Sequence, residues 1–286
     1  METKEAKTFK THKEQLAILK ERGLLIENDE EALCLLKKIN YYRLTGYMLF
    51  MKKDDIFYPG SSIQQAVRMY RFDEKLRRIL LGAIESIEIS FKAELAYNFA
   101  KAHGPLGYLV SENFNFEGSH KDFLVNINEK IHSSRELFVV HHREEYGSQL
   151  PIWVAIELFT MGMLSKFFKN MLTEDKIELS KELYDVSPKI LSRWLQSITI
   201  LRNTCAHYSR VYNKKFNAGG VNLPGKMSNS LNQNKLAAFI YILKKMLTET
   251  EWKRFFHEFT VLVEAFDDVI KYEHMGFYEG WQQYIN

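Results

Sequence analysis

The chain has 286 residues, of which 46% are hydrophobic and 26% charged, and its formal net charge is +3. This ordinary globular mixture excludes wholesale disorder, and two cysteines are too few for a disulfide framework or a four-cysteine zinc site. We find no apolar run long enough for a signal peptide or a membrane span, so we expect a cytoplasmic protein with no membrane partner.

Most of the chain shows helical periodicity, with apolar residues recurring every three or four positions. The pattern predicts helices over 11–22, 29–38, 63–102, 120–145, 151–171, 174–184, 188–206, 233–247 and 249–272, with loops over 54–60 and 213–232. The low content of Gly and Pro also favours long helices. We therefore predict an all-α fold, in which an N-terminal helical segment (1–60) packs on a helical bundle with C-terminal helices (61–286).

Several helix boundaries carry local signals. Gly23 and the Gly104-Pro105 pair are typical helix stops, and either Ser61 or Ser62 is a good N-cap for the long helix that follows. Ser187-Pro188 reads as an N-cap followed by a first-turn proline, and Pro151 can open a helix in the same way.

The charge is distributed unevenly along the chain. Residues 186–248, which we call the acid-free segment, contain no Asp or Glu. Its ten cations are Lys189, Arg193, Arg202, Arg210, Lys214, Lys215, Lys226, Lys235, Lys244 and Lys245. Such a segment suits a polyanion-binding surface, because carboxylates repel phosphates whereas Lys and Arg release counterions from them. The alternative is that its helices are simply buried and neutral.

One cluster of polar residues lies at the end of an apolar helix inside the acid-free segment, namely Arg202, Asn203 and His207. RNA carries its own nucleophile, the 2′-OH, and a His near neutral pH can accept or donate the proton that cleavage requires. An Arg fork can bind the phosphate and stabilise its developing charge, with Asn203 orienting either group. This chemistry, which relies on the 2′-OH and on protein side chains, requires no metal or cofactor, and we find no obvious metal site in the sequence.

The arrangement has a geometric difficulty. At about 100° per residue, Asn203 and His207 lie only ~40° apart around a helix, but Arg202 and His207 lie ~140° apart. A single helix therefore aims Arg202 and His207 at one atom only if it unwinds near residue 207 or if a second copy supplies the other half. A structural Arg and a His at the edge of the core remain the alternative.

Other residues admit two interpretations. Arg135 and His141 repeat the Arg-to-His spacing, but Glu136 would compete for the guanidinium, which favours a surface pair. Glu157 lies on an otherwise apolar helix, where a buried carboxylate would need a partner such as Arg202; a catalytic role is the alternative. The aromatic stretch Tyr41, Tyr42, Arg43 and Tyr47 fits either base stacking or the core.

The stretch RNTCAHYSRVYN (202–213) resembles the signature of the abortive-infection (Abi, AbiD/AbiF-like) family of bacterial anti-phage proteins, part of the HEPN superfamily. Nearly the whole chain shares this likeness. Further blocks similar to the family, in its order, are QLAILKERG (15–23), INYYRLTGY (39–47), YRFDEKLRR (70–78), PIWVAIELF (151–159) and MGFYEGW (275–281). Tyr208 departs from relatives that often have a second His there, which bears on substrate choice.

The resemblance implies a HEPN-like helical bundle and a metal-independent endoribonuclease that leaves a 2′,3′-cyclic phosphate and a 5′-OH. It also implies a homodimer that joins two Arg…His motifs in one cleft, with Arg202, Asn203 and His207 as catalytic residues. We expect RNA contacts from nearby polar residues of the acid-free segment: Arg210, Asn213, Lys214, Lys215 and Lys226. Some relatives are paired with small non-coding RNAs, so the alternative function is a module that binds such an RNA without cleaving it. A purely structural or protein-binding role, with Arg202 in a buried ion pair, is the third possibility.

Overall fold

The computed structural model describes residues 8–147, 149–216, 221, 223 and 225–286. These residues form an all-α protein with one minor hairpin, as the periodicity predicts. The α-helices are α1 (His12–Glu21), α2 (Asp29–Lys38), α3 (Tyr41–Thr45), α4 (Ile63–His103), α5 (Glu117–Ser133), α6 (Leu137–Tyr146), α7 (Ile152–Ala155), α8 (Met161–Asn170), α9 (Thr173–Tyr184), α10 (Pro188–Ala206), α11 (Leu236–Met246), α12 (Glu249–Glu264), α13 (Tyr272–Met275) and α14 (Gln282–Ile285). Short 3-10 helices cover Gly107–Leu109, Ser111–Asn113, Ile156–Leu158 and Gly225–Asn229. Over the described residues, the search for a helix apolar enough to cross a bilayer finds none.

The chain divides into two compact units, and the division falls within α4 and α12. Unit 1 comprises residues 1–76 and 261–271, and unit 2 comprises residues 77–260 and 272–286. The predicted organisation into segments 1–60 and 61–286 stays a prediction, since compactness alone does not define where a segment folds or functions independently.

Unit 1 is organised by local caps and one buried polar contact. Thr11 and Glu14 form a capping box at the start of α1, and Gly23, at φ +88°, ends it as predicted. Tyr47 is buried and its hydroxyl donates to the Asp73 carboxylate at 2.7 Å, so this tyrosine belongs to the core. Tyr42, in contrast, is exposed. The core interpretation is therefore confirmed for Tyr47, whereas base stacking by the exposed Tyr42 stays a prediction.

The predicted loop over 54–60 begins with a short hairpin. Strands β1 (Lys52–Lys53) and β2 (Ile56–Phe57) pair antiparallel, with Lys52 opposite Phe57 and Lys53 opposite Ile56. Asp54 and Asp55, which connect the two strands, have positive φ angles of 48° and 67°, as a type I′ turn requires. Ser62 then caps α4, whose Gln65 N–H donates to the Ser62 hydroxyl, whereas Ser61 is buried.

Unit 2 is built around α11, which is buried on nearly every side, as expected for a helix that is apolar all round. Helix α10 packs against α8, α9 and α11, and α8 also packs against α5. Beneath α8 lies an aromatic cluster in which the Phe167 ring contacts those of Phe99, Phe114 and Phe123 at centroid distances of 5.0–5.3 Å. This core fixes the position of α10.

Two predicted helices are each divided in the structure, so those predictions were wrong. The helix expected over 120–145 is interrupted at Ser134, whose hydroxyl accepts a hydrogen bond from the Glu136 N–H and competes with the helical backbone. The helix expected over 151–171 is interrupted before Thr160, which caps α8 through the Met163 N–H.

Two further predictions need adjustment near the C-terminus. Helix α12 ends at Glu264, earlier than predicted, and α13 follows after an irregular stretch. The predicted loop over 213–232 contains the 3-10 helix Gly225–Asn229, while its positions 217–220, 222 and 224 lie outside the described residues.

Candidate functional site

The candidate site lies at the C-terminal end of α10, in unit 2. The stripe Leu191, Leu195, Ile198 and Leu201 is buried as predicted and anchors the helix in the core. Pro188 occupies the first turn as expected, although the Ser187 side chain makes no capping hydrogen bond. Burial of one face leaves the opposite face of the last turn available to solvent.

Helix α10 ends in a Schellman motif. The Ser209 N–H donates to the Thr204 carbonyl at 2.9 Å, and the Tyr208 N–H donates to the Cys205 carbonyl at 3.0 Å. The motif needs a left-handed residue, and here that residue is Tyr208, with φ +56°. A left-handed non-glycine residue costs roughly 1 kcal/mol or more, and such strain clusters at functional sites.

The three predicted catalytic side chains reach solvent to different degrees. Arg202 is half-buried, while Asn203 and His207 are exposed. None of these three side chains forms a hydrogen bond or ion pair with any residue that the structure describes. Polar groups held on a rigid helix end without internal partners are available for a ligand.

The helix does not unwind before His207. The His207 N–H still donates to the Asn203 carbonyl at 3.0 Å, so α-helical geometry extends through the last turn. The angular separation of ~140° between Arg202 and His207 therefore persists within one chain. Asn203 and His207, in contrast, share the exposed face, with only ~40° between them.

The predicted RNA-contacting residues are distributed over the segment that follows α10. Lys215 and Lys226 are exposed, and Arg210, Asn213 and Lys214 are half-buried. Lys226 lies in the 3-10 helix Gly225–Asn229.

Two lysines tie this following segment to the site and to the C-terminal region. The Lys214 ammonium lies 3.5 Å from the Thr204 hydroxyl, next to Asn203 in sequence. Lys235 donates to the Asn213 side-chain oxygen at 3.3 Å and to the Glu273 carbonyl at 3.2 Å. Asn213 itself is left-handed, with φ +53°.

A further contact was not predicted from the sequence. The buried Tyr212 hydroxyl lies 2.8 Å from His274 Nδ1, in hydrogen-bonding distance, which joins the segment after α10 to α13. The two residues are 62 positions apart. No local pattern links them, so only the fold reveals that His274 supports this segment.

The cations of the acid-free segment are largely unneutralised. Arg210 has an interaction of its own, and none of the other nine forms a side-chain ion pair with an Asp or Glu in the described part of the chain. Unpaired cations sustain a positive potential that attracts phosphates. Some of them lie over aromatic rings instead, such as Lys214 over Phe216 and Lys245 over Tyr241.

The ion pair between Glu157 and Arg202 considered above is wrong. Glu157 is exposed in the 3-10 helix Ile156–Leu158, and its backbone carbonyl accepts a hydrogen bond from Lys92 at 3.1 Å. Its carboxylate forms no ion pair with Arg202. Across the described ranges, no group of three His, Cys, Asp or Glu side chains is arranged to hold a metal ion.

The second Arg-to-His spacing differs from the first in its local structure. Arg135 lies in the connection between α5 and α6, and His141 lies on α6. The two residues are therefore on separate elements, unlike Arg202 and His207, which share the end of one helix.

A family model described as Abi-like protein matches residues 34–213, which is well over half of the chain and includes the whole of α10 and the residues after it as far as Asn213. No curated protein and no solved structure matches the sequence.

Proposed function

Because the chain belongs to the Abi-like protein family, we propose that it acts in abortive infection as a metal-independent endoribonuclease of HEPN type. The observation that carries this proposal is the end of α10. There, three polar side chains of the types that RNA cleavage needs lie in a segment free of carboxylates, and none of them has a hydrogen-bond or ion-pair partner among the described residues.

The proposed reaction uses the substrate's own hydroxyl. An imidazole, that of His207, takes the proton from the ribose 2′-OH, and the 2′-oxygen attacks the adjacent phosphorus. The bond from phosphorus to the 5′-oxygen breaks, and the departing oxygen receives a proton from a second imidazole. The products are a 2′,3′-cyclic phosphate and a 5′-OH. Arg202 stabilises the extra charge on the phosphate, and Asn203, beside His207, orients it.

Self-association completes the site. One chain separates Arg202 and His207 by ~140° around α10 and offers one imidazole there, whereas the reaction needs a base and an acid. Two copies joined with their α10 ends facing each other supply two His and two Arg in one cleft. Lys214, Lys215 and Lys226, which form no ion pair with a described residue, then hold the RNA backbone beside it.

The test compares two matched pairs of variants. Arg202→Ala and His207→Ala are each incubated with total bacterial RNA in the presence of EDTA. Arg135→Ala and His141→Ala, which alter the other Arg-to-His spacing, serve as controls. Loss of cleavage in the first pair alone is expected, since general acid–base catalysis contributes ~10²–10⁴-fold. Retained cleavage in His207→Ala contradicts the proposal.

The same assay separates cleavage from RNA binding alone. If the wild-type protein shifts the gel mobility of a small RNA in a salt-dependent manner but leaves the RNA length unchanged, the acid-free segment binds phosphates without cleaving the RNA. That result would replace the nuclease with a module that associates with a small non-coding RNA.

A further inference from the structure

Unit 1 contains a groove that the proposed cleavage chemistry does not use. It has a volume of about 750 Å³, within the usual range for small-molecule sites. Its walls come from α1, α2, α3 and the hairpin. The lining residues that bear on its chemistry are Phe9, Gln15, Arg22, Tyr41, Tyr42 and Lys52.

Aromatic rings border this groove and remain exposed. Tyr42 is 65% exposed and Phe9 is 85% exposed, while Tyr41 is half-buried with its ring edge-on to Tyr42 at 5.8 Å. Large rings exposed together around one concavity mark a binding surface rather than a solvated one. An exposed flat ring is also the platform on which a nucleobase stacks.

The groove contains a buried acceptor without a donor. The Gln15 side-chain oxygen is buried and receives no hydrogen bond from the described residues, although its amide nitrogen donates to the Lys10 carbonyl at 3.0 Å. A buried acceptor left unpaired costs roughly 1–3 kcal/mol. Because this oxygen has no accessible surface, it is a local cost of the fold and not a contact for a ligand in the groove.

The charge of the groove is positive. Lys10, Arg22 and Lys52 line it together with one carboxylate, Asp55, which lies 3.3 Å from Arg22 and 2.5 Å from Lys52. Lys10 pairs at 3.6 Å with the neighbouring Glu14. Two cations sharing a single carboxylate leave an excess of positive charge that favours an anionic group.

We propose that this groove binds one nucleotide unit. The base stacks on Tyr42, and the phosphate lies by Arg22 and Lys52. A wholly apolar ligand leaves the cations without a counter-charge, and an acidic peptide leaves the rings unstacked. The nucleotide comes either free in solution or as an unpaired residue of a single-stranded RNA. The site does not depend on cleavage by Arg202 and His207.

Binding is measured by titrating the full chain with two probes, AMP and a short single-stranded 2′-O-methyl oligoadenylate, which lacks the 2′-OH needed for cleavage. Because one base–aromatic stack contributes about 1–3 kcal/mol, Tyr42→Ala should weaken binding of at least one probe about five-fold or more. Tyr42→Phe, which keeps the ring, should bind as the wild type does. Tyr97→Ala removes an equally exposed tyrosine of unit 2 and should change nothing.

The outcomes separate the two sources. AMP binding that Tyr42→Ala weakens identifies a free nucleotide as a ligand, and an effect on the oligonucleotide alone identifies an RNA strand. Arg22→Ala, which removes a cation proposed to contact the phosphate, should weaken binding of the same probe. The proposal is overturned if neither probe binds, or if Tyr42→Ala or Arg22→Ala binds both probes as the wild type does. Cleavage of natural RNA by the Arg202 and His207 variants is scored separately, so each proposal fails by its own assay.

Discussion

Replacement of Arg202 by Ala distinguishes a functional arginine from a structural one. The side chain is half-buried and has no ion-pair partner among the described residues, so the substitution leaves no carboxylate stranded. What is lost is partial burial of the aliphatic stem, at about 0.8 kcal/mol per buried methylene, so we expect a cost of roughly 1 kcal/mol. An arginine in a buried ion pair would instead cost about 3–5 kcal/mol.

Leu201→Ala is the matched control for this experiment. Leu201 precedes Arg202 on the same helix and is fully buried, so its truncation should cost about 2–5 kcal/mol. For a chain of this size, 1 kcal/mol corresponds to a change in melting temperature of about 2 °C. Calorimetry should therefore show a loss of about 2 °C for Arg202→Ala and about 4–10 °C for Leu201→Ala.

The two variants should also differ in RNA cleavage. Arg202→Ala should abolish cleavage while remaining folded at the assay temperature. If Arg202→Ala melted as early as Leu201→Ala, its loss of activity would reflect unfolding, and the argument that Arg202 is free to bind phosphate would be wrong.

Three further predictions concern the framework of the protein. Gly82 lies inside α4 with nothing within 4 Å of an added Cβ, so Gly82→Ala should raise the free energy of unfolding by about 0.5–1 kcal/mol. Gly104 has a φ angle of +75°, which strains an L residue, so Gly104→Ala should lower the free energy of unfolding in the same denaturation assay. Burial raises the pKa of Tyr108 to about 12. Its contribution to stability is therefore complete below pH 10 and is lost as the pH rises through 12, and Tyr108→Phe should melt with a shallower dependence on pH in that range. Tyr212→Phe removes the hydrogen bond to His274 and should cost roughly 1 kcal/mol by chemical denaturation, and an unchanged midpoint would exclude a supporting role for this contact.

The sequence determines those features of the fold that depend on local signals. The bounds of α10 follow from Pro188 at its start and from an apolar stripe that stays in phase up to residue 206. Gly23 and Gly104 lie just past the ends of their helices. The backbone there takes a positive φ angle, which glycine adopts without strain. Where such signals are strong, prediction and structure agree.

The breaks that the sequence did not predict depend on weaker or non-local effects. Ser134 and Thr160 interrupt apolar patterns that continue past them, because a serine or threonine competes with the helix only when its side chain finds a nearby N–H. No glycine or proline lies among residues 265–271, so no local stop signal predicts the end of α12 at Glu264.

The residues of the candidate site could be predicted from the sequence, but the tertiary contacts around them could not. The spacing of Arg202 and His207 and the absence of acids around them are properties of the sequence alone. The contacts from Lys235 to Asn213 and from Tyr212 to His274 join residues that are far apart in the chain, so they emerge only from tertiary packing. The strain at Tyr208 is similarly a property of the folded helix end.

The most direct test of the proposed chemistry is the identity of the RNA ends that the wild-type protein produces in EDTA. Attack by the 2′-OH predicts a 5′-hydroxyl on one fragment and a 2′,3′-cyclic phosphate on the other, with no cleavage at a linkage whose 2′-OH is replaced by hydrogen. Fragments that carry 5′-phosphates, or cleavage that stops when metal is removed, would contradict the roles assigned to Arg202 and His207.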